Sequence, residues 1–208
     1  MDSQINLGEI VRHCRATNSR FDDRQVEMFP GAVRWPVFIL ACLCLFPAIS
    51  AAQVQDEQVV KIAFVFNLTK YVEWPASAAS NEIVVGFIGE GSMGPALKQV
   101  LSGKAAGTRI VRVIVEPSKG ELQHCNIVYI SHSSPQRIRS ALERIPGKNV
   151  LTVGDAVSFT RSGGAVGLVT AGGHVQIQIN PAAVEAAQLK ISSRLLSLAT
   201  LVNQAPAR

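Results

Sequence analysis

A glycine pattern in residues 89–94, GEGSMG, could form a nucleotide-binding turn. The motif follows a predicted strand and opens a predicted helix, and Glu116 stands at the end of the next predicted strand. In a dinucleotide site this layout puts the pyrophosphate on the helix N-terminus and the acid on the ribose. Against that chemistry, Glu90 adds negative charge beside the phosphates and Pro95 removes an amide of the first helical turn. The pattern therefore favours a tight strand-to-helix connection, because glycine suits such turns. A ligand loop is the alternative, formed by Gly89, Gly91, Ser92 and Gly94.

No other pattern in the chain supports catalysis or metal binding. His124, Cys125 and His132 are candidate ligands, but a cysteine followed seven positions later by a histidine is not a closed zinc spacing. Asp155 has no second carboxylate at a spacing suited to acid–base chemistry. None of the paired serines lies in a nucleophile elbow. We therefore predict no enzyme activity, no cofactor and no metal.

The elements that must position these residues alternate along the chain. Continuous apolar runs separated by helices predict parallel strands in a sheet that is covered on both faces. These strands are predicted at 82–88, 109–116, 126–131 and 149–153, and the helices at 92–102, 136–144, 155–159 and 192–202. A glycine turn joins Ala165–Thr170 to His174–Asn180, which predicts an antiparallel hairpin. The expected fold is a single three-layer α/β domain, with a mostly parallel sheet and a C-terminal hairpin.

The segment KIAFVFNLTKYVEWP, residues 61–75, predicts a long helix that is apolar on almost every side. Trp74 precedes a proline, which disfavours helical geometry, so the helix should end there. Asn67 lies within an apolar arc of the helical wheel, so we expect a buried amide bound to a loop backbone, a ligand or a partner. A wet stripe is predicted at Glu57, Lys61, Thr69 and Glu73.

The N-terminal region predicts export. Residues 28–52 combine Arg34, the apolar run Val37–Ile49 and the small residues Ser50-Ala51-Ala52, which is the order of a secretory signal peptide cleaved near Ala52. The apolar run is short for a membrane span, which needs roughly 20 residues. Residues 1–27 are expected to be an upstream extension outside the folded domain, and translation from Met1 or from Met28 is left open. The mature domain is then 53–208, in the periplasm.

Charge and cysteine usage narrow the function further. The chain has 208 residues and a formal net charge of +5, but its basic residues are scattered and are not interleaved with aromatic side chains. Nucleic-acid binding is therefore not expected. After cleavage near Ala52, Cys125 is the only cysteine left, so no internal disulfide can form. Cys125 precedes a buried strand and should be buried and inert.

Several blocks of this sequence, taken in order, resemble the YfiR family of small exported bacterial proteins. The blocks are KIAFVFNLTKYVEWP, GFIGEGSMGPAL, HCNIVYIS, VLTVGDAVSF, GGAVGLV and QIQINPAAVEAAQLKISSRLL. The resemblance covers residues 57–203. It implies a periplasmic repressor that binds the periplasmic region of an inner-membrane diguanylate cyclase, or a related sensor protein, and lowers cyclic di-GMP and biofilm formation. It also implies sequestration by an outer-membrane lipoprotein.

The resemblance implies that the functional site is a partner-binding surface and not a ligand-binding cleft. We predict partner contacts at exposed positions near the end of the first helix, on the hairpin and after it. These positions are Glu73, Trp74, His174, Gln176, Gln178, Lys190 and Arg194. A homodimer is left open. The rival hypothesis is a periplasmic small-molecule sensor that binds its ligand at the Gly89–Gly94 loop.

Overall fold

The computed structural model describes the backbone of residues 48–75 and 80–202, and the side chains from Glu57 onward outside that gap. The predicted extension at 1–27 and most of the predicted signal peptide at 28–52 lie outside the described residues. Within the described ranges, no helix has both the length and the apolarity needed to cross a membrane.

Six helices in the described part of the chain surround two sheets. The helices are α1 (Ala48–Tyr71), α2 (Met93–Leu101), α3 (Lys119–Leu122), α4 (Pro135–Glu143), α5 (Pro181–Ala186) and α6 (Ser193–Leu196). The strands are β1 (Val72–Glu73), β2 (Glu82–Gly89), β3 (Ala105–Ala106), β4 (Arg109–Val115), β5 (Ile127–Ser131), β6 (Leu151–Gly154), β7 (Val166–Ala171), β8 (His174–Ile179), β9 (Lys190–Ile191) and β10 (Thr200–Leu201). The predicted α/β class and C-terminal hairpin are confirmed.

The main sheet has eight strands in the order β10-β8-β7-β6-β5-β2-β4-β3. Strands β4, β2, β5, β6 and β7 run parallel to one another. Strand β8 pairs antiparallel with β7, and His174 lies opposite Ala171. The first strand of the series, β2, is therefore central, with β4 on one side and β5 on the other. The chain leaves β2 in one direction and β5 in the other, so the order of strands reverses at this pair.

Two apolar cores cover the two faces of the sheet, because continuous apolar strands point alternate side chains to opposite sides. The front core joins α1 and α2 to residues such as Val85, Phe87 and Tyr129. The back core joins α3 and α4 to residues such as Val128 and Ile130. The crossover from β2 to β4 thus lies in front of the sheet, whereas the crossover from β5 to β6 lies behind it.

Three element boundaries differ from the sequence predictions, and tertiary pairing or turn geometry explains each of them. Helix α1 ends at Tyr71 rather than Trp74, because β1 pairs with β9. The segment 155–159 forms a turn rather than a helix, and the Phe159 amide donates to the Ala156 carbonyl. The last helix stops at Leu196, since Thr200–Leu201 adds a short parallel strand beside β8.

The predicted faces of α1 were partly wrong. Asn67 is half-buried, not buried as we expected. Lys61 and Thr69, placed on the predicted wet stripe, are each only 6% exposed. The Thr69 hydroxyl is satisfied locally, since it donates to the Phe66 carbonyl at 2.6 Å. A helix that is apolar all round gives the wheel no clear polar side, so the sheet decides which side is covered.

Candidate functional site

Four of the predicted partner-contact residues gather near the junction of β1 and β9. Glu73 lies opposite Lys190 in the antiparallel pair, and Trp74 follows Glu73 directly. Arg194 is exposed in α6, four residues after Lys190. We call Glu73, Trp74, Lys190 and Arg194 the amino-end surface, because Trp74 reaches the residue that precedes the amino end of β5.

The half-buried Trp74 is held in a fixed position. Its Nε1 donates to the Asn126 carbonyl at 3.3 Å, and the Arg109 guanidinium lies 5.7 Å from the ring centroid. A cation over an aromatic face is attracted by the negative charge of the ring face. The pairing with Arg109 was not apparent from sequence, since 35 positions separate the two residues.

Asn126 is a buried amide that binds the backbone, which is a role that the sequence predicted for Asn67. It is 6% exposed, and its Oδ1 accepts a hydrogen bond from the Val84 amide at 2.9 Å. Its backbone amide donates to the Val84 carbonyl, and its carbonyl accepts from Leu151. Through its side chain and its backbone, this one residue ties the amino ends of β2, β5 and β6 together beneath Trp74. The signal in the sequence was an amide immediately before a continuous apolar strand.

The predicted contacts on β8 do not join the amino-end surface. His174 and Gln176 are exposed, but His174 lies at the edge where the parallel strands end, opposite to Trp74. Gln178 is half-buried, and its Oε1 accepts a hydrogen bond from the Thr160 hydroxyl at 3.2 Å. The alternation of buried and wetter positions along β8 agrees with the predicted pattern.

Two of the three glycines of the 89–94 loop, Gly89 and Gly94, meet close neighbours within the fold. A Cβ on Gly94 would lie 2.6 Å from the Phe87 ring, so glycine allows α2 to pack against β2. Gly89 has a φ of 143°, and a Cβ there would meet the Ser131 carbonyl. The Glu116 carboxylate accepts from the Gly89 amide at 2.7 Å, so the acid that would bind a ribose instead closes the strand end. The ligand loop stays a prediction, whereas these contacts explain the turn.

A cleft of about 390 Å³ lies beside this loop, across the ends of β2, β5 and β6. It is placed where the order of parallel strands reverses, which is where open α/β sheets bind ligands. We call it the switch-point cleft. Its lining residues are Glu90, Ser131, His132, Ser133, Arg137, Asp155 and Ala156.

A buried lysine of α1, Lys61, lies next to the cleft, on the front side of the sheet. The Lys61 ammonium bonds the Glu57 carboxylate at 2.5 Å and lies 3.9 Å from Asp155 Oδ2. The bond from Lys61 holds the pKa of Glu57 below its usual value. The Ser131 hydroxyl is 3.4 Å from the same Asp155 oxygen. The spacing of Glu57 and Lys61 predicted their ion pair, but nothing in the sequence indicated that Asp155 lies near Lys61.

The Tyr129 hydroxyl is enclosed near Asp155. The side chain is fully buried, its ring stacks on Phe87 with centroids 6.0 Å apart, and its oxygen has no hydrogen-bond partner among the described residues. Burial raises the pKa of Tyr129, and the negative charge of Asp155 adds to that effect. An unpaired buried hydroxyl is uncommon and calls for a physical explanation.

An ion pair forms the back rim of the cleft. Arg137, in the first turn of α4, donates to Glu90 Oε1 at 2.6 Å, and both side chains are more than half exposed. The bond from Arg137 lowers the pKa of Glu90, and the nearby His132 acts in the same direction. The exposed pair contributes little to stability, so it can open without disturbing the fold.

The residues weighed as metal ligands are not brought together. Cys125 is buried below the amino end of β5, whereas His132 lies in the cleft at the other edge. Burial raises the pKa of the Cys125 thiol to about 11, as expected for an inert cysteine. Among the described residues no group of three His, Cys, Asp or Glu side chains could hold a metal ion.

Comparison with known proteins places this architecture in a family. No curated protein matches the chain. A family model described as YfiR/HmsC-like matches residues 58–200. This range runs from Gln58 in α1 to Thr200 in β10, and it includes both the amino ends and the carboxyl ends of the parallel strands. The match covers well over half of the 208 residues, and the chain belongs to the YfiR/HmsC-like family.

Proposed function

We propose that the protein is an exported repressor that binds the periplasmic region of an inner-membrane diguanylate cyclase and holds the cyclase inactive. The family match over residues 58–200 carries this proposal, because membership implies a periplasmic regulator of diguanylate cyclase. Repression would lower cyclic di-GMP and biofilm formation. An outer-membrane lipoprotein that sequesters the repressor would release the cyclase.

The amino-end surface supports a role in partner binding. It presents the exposed charges of Glu73, Lys190 and Arg194 around a half-buried tryptophan. Interfaces typically combine an aromatic anchor with a charged, solvent-exposed rim. Trp74 is held by Asn126 and Arg109, so little side-chain entropy is lost when a partner covers its exposed edge.

Repression of this kind is a shift between two states of the cyclase. A repressor lowers the active fraction only as far as it binds the inactive form more tightly. A stable complex needs roughly 800 Å² of buried surface on this side. The four residues of the amino-end surface are too few to supply that area, so their neighbours on α6 and β9 must contribute.

The test is a gene deletion followed by complementation. Deletion should raise cellular cyclic di-GMP and surface attachment, and wild-type protein should restore both. Lys190→Glu and Arg194→Glu should complement poorly, although the folded protein reaches wild-type abundance. Arg139→Glu reverses an exposed charge on α4, on the back of the sheet, and should complement fully. Unchanged cyclic di-GMP in the deletion strain would remove the repressor proposal.

A further inference from the structure

We propose that the switch-point cleft binds a small organic ammonium ion, with the Asp155 carboxylate as its anchor. The inference goes beyond repression of the cyclase and does not depend on it. It rests on the position of the cleft, the long contacts of Asp155 with its neighbours, among them the buried Tyr129 hydroxyl, and the local excess of negative charge.

The cleft exists because neighbouring loops diverge. After β2 the chain turns to the front helix α2, and after β5 it turns to the back helix α4. The two loops separate above the β2–β5 pair and leave a polar crevice that is open to solvent. Asp155 follows β6 and lies on the front side of this crevice, as do Ser131 and Tyr129, by the alternation of the strands.

Asp155 is poorly paired for an anion. Its Oδ2 is distant from both the Ser131 hydroxyl, at 3.4 Å, and the Lys61 ammonium, at 3.9 Å, and the nearby Tyr129 hydroxyl makes no well-formed hydrogen bond. Lys61 is bonded far more closely to Glu57, at 2.5 Å. A carboxylate can accept about four hydrogen bonds, so Asp155 has capacity for a donor from the cleft. The side chain is 22% exposed, which leaves it accessible.

The buried Tyr129 hydroxyl lies close to Asp155 but makes no well-formed hydrogen bond with it. It is fully buried beside Asp155 and has no hydrogen-bond partner in the described part of the chain. A donor that enters beside Asp155 would draw the carboxylate into a defined position, and Asp155 could then accept from the tyrosine as well. Asp155 and Tyr129 therefore form one incompletely bonded pair, and a donor from the cleft would complete it.

The charge balance selects a cation. At the cleft and directly behind it, the carboxylates of Glu57, Glu90 and Asp155 outnumber the cationic groups of Lys61 and Arg137. His132 also lies near Glu90 at the rim of the cleft. The chain as a whole has a net charge of +5, so the negative charge at this edge is opposite in sign to the net charge of the protein. An anion would meet Asp155 and Glu90, whereas an ammonium ion would neutralise the excess.

The test compares three probes of the same size. Ethanolammonium, ethylene glycol and glycolate differ mainly in charge, and each is titrated into the full chain while backbone amide shifts are recorded by NMR. Ethanolammonium should cause saturable shifts at residues 89–91, 131–134 and 155–156, with a Kd of roughly 1–10 mM, since so small a probe makes few contacts. Ethylene glycol and glycolate should bind at least about tenfold more weakly.

Variants identify the anchor. Asp155→Asn keeps the shape of the side chain and should weaken ethanolammonium binding by about tenfold or more. Glu90→Gln removes an exposed carboxylate of the cleft and should weaken binding a few-fold even if Asp155→Asn folds poorly. Its matched control is Glu82→Gln, at the opposite end of β2, where Glu82 pairs with Arg112 at 3.0 Å. Glu82→Gln should bind ethanolammonium like the wild type.

Three results would overturn the proposal. They are the absence of saturable shifts at the cleft, tighter binding of glycolate than of ethanolammonium, and equal weakening by Glu90→Gln and Glu82→Gln. None of these results bears on the cyclic di-GMP measurement, so the two proposals succeed or fail separately.

Discussion

Replacing Gly164 by alanine should destabilise the protein through a clash with one aromatic ring. Phe159 is fully buried in the turn that follows Asp155, and its ring is enclosed between Gly154 and Gly164. A Cβ built at Gly164 falls under 3.0 Å from the ring, a separation that real Cβ atoms essentially never show. The ring cannot retreat, because Gly154 touches it equally closely from another side. We therefore expect overpacking to cost about 1–3 kcal/mol.

Urea unfolding measures this cost directly. The matched control is Gly120→Ala in α3, where a new Cβ would meet nothing within 4 Å. Gly120→Ala should leave the protein as stable as the wild type or slightly more stable, since alanine favours helix by about 1 kcal/mol over glycine. In a thermal scan, each kcal/mol lost at Gly164 should lower Tm by about 2–4 °C for a domain of this size.

A double variant separates the steric effect from other causes. Phe159→Leu removes the ring atoms that the new methyl group would strike. The cost of Gly164→Ala should therefore be smaller in the Phe159→Leu background than in the wild type, by about 1 kcal/mol or more. Equal urea midpoints for Gly164→Ala and Gly120→Ala, or strict additivity in the double variant, would refute the reasoning.

Further predictions concern the amino ends of the strands. Asn126→Ala removes the acceptor of the buried Val84 amide and should cost about 1–3 kcal/mol in urea unfolding. Asn81→Ala, at an exposed position, should cost little, and equal effects of the two substitutions would contradict this role. The Cys125 thiol has a pKa of about 11, so iodoacetamide at pH 8 should label it slowly when folded and rapidly in urea. The folded thiol keeps its proton between pH 9 and 11 while the unfolded thiol loses it, so stability should fall over that range. Cys125→Ala should make this fall shallower and cost about 1 kcal/mol, and an unchanged slope would contradict the assignment.

Much of the fold could be predicted, because the signals that specify it are local. The segments that form β2 and β5 are rich in β-branched residues and bounded by turns, so the first and last residues of these strands were predicted to within one residue. Helices α2 and α4 have a clear apolar side; α2 ends just before Gly103, and α4 begins at Pro135. One of the errors fell on α6 and β10, where a leucine-rich segment is typical of a helix. Pairing with β8 overrides that local preference.

The candidate sites were harder to predict, because residues distant in sequence form them. Glu73 and Lys190 were both singled out as exposed charges, but only the pairing of β1 with β9 places them side by side. The cleft required the strand order, since Glu90 and Asp155 follow different strands. The glycine motif pointed to the edge of the sheet where the cleft lies, although Gly89 and Gly94 meet packed neighbours.

Lys61 shows most clearly what sequence could not settle. Its spacing from Glu57 indicated an exposed ion pair on the solvent side of α1, and the pair does form. A long aliphatic stem, however, lets a lysine cover apolar surface while its ammonium reaches a polar edge. The polar edge here is the end of the sheet, where Asp155 lies, 94 residues after Lys61 in the chain. Lys61, which appeared wet, is therefore buried and reaches toward Asp155, and it leaves Asp155 only partly neutralised. A helix wheel records the spacing of residues within one helix, and the charge that meets Lys61 lies outside that helix.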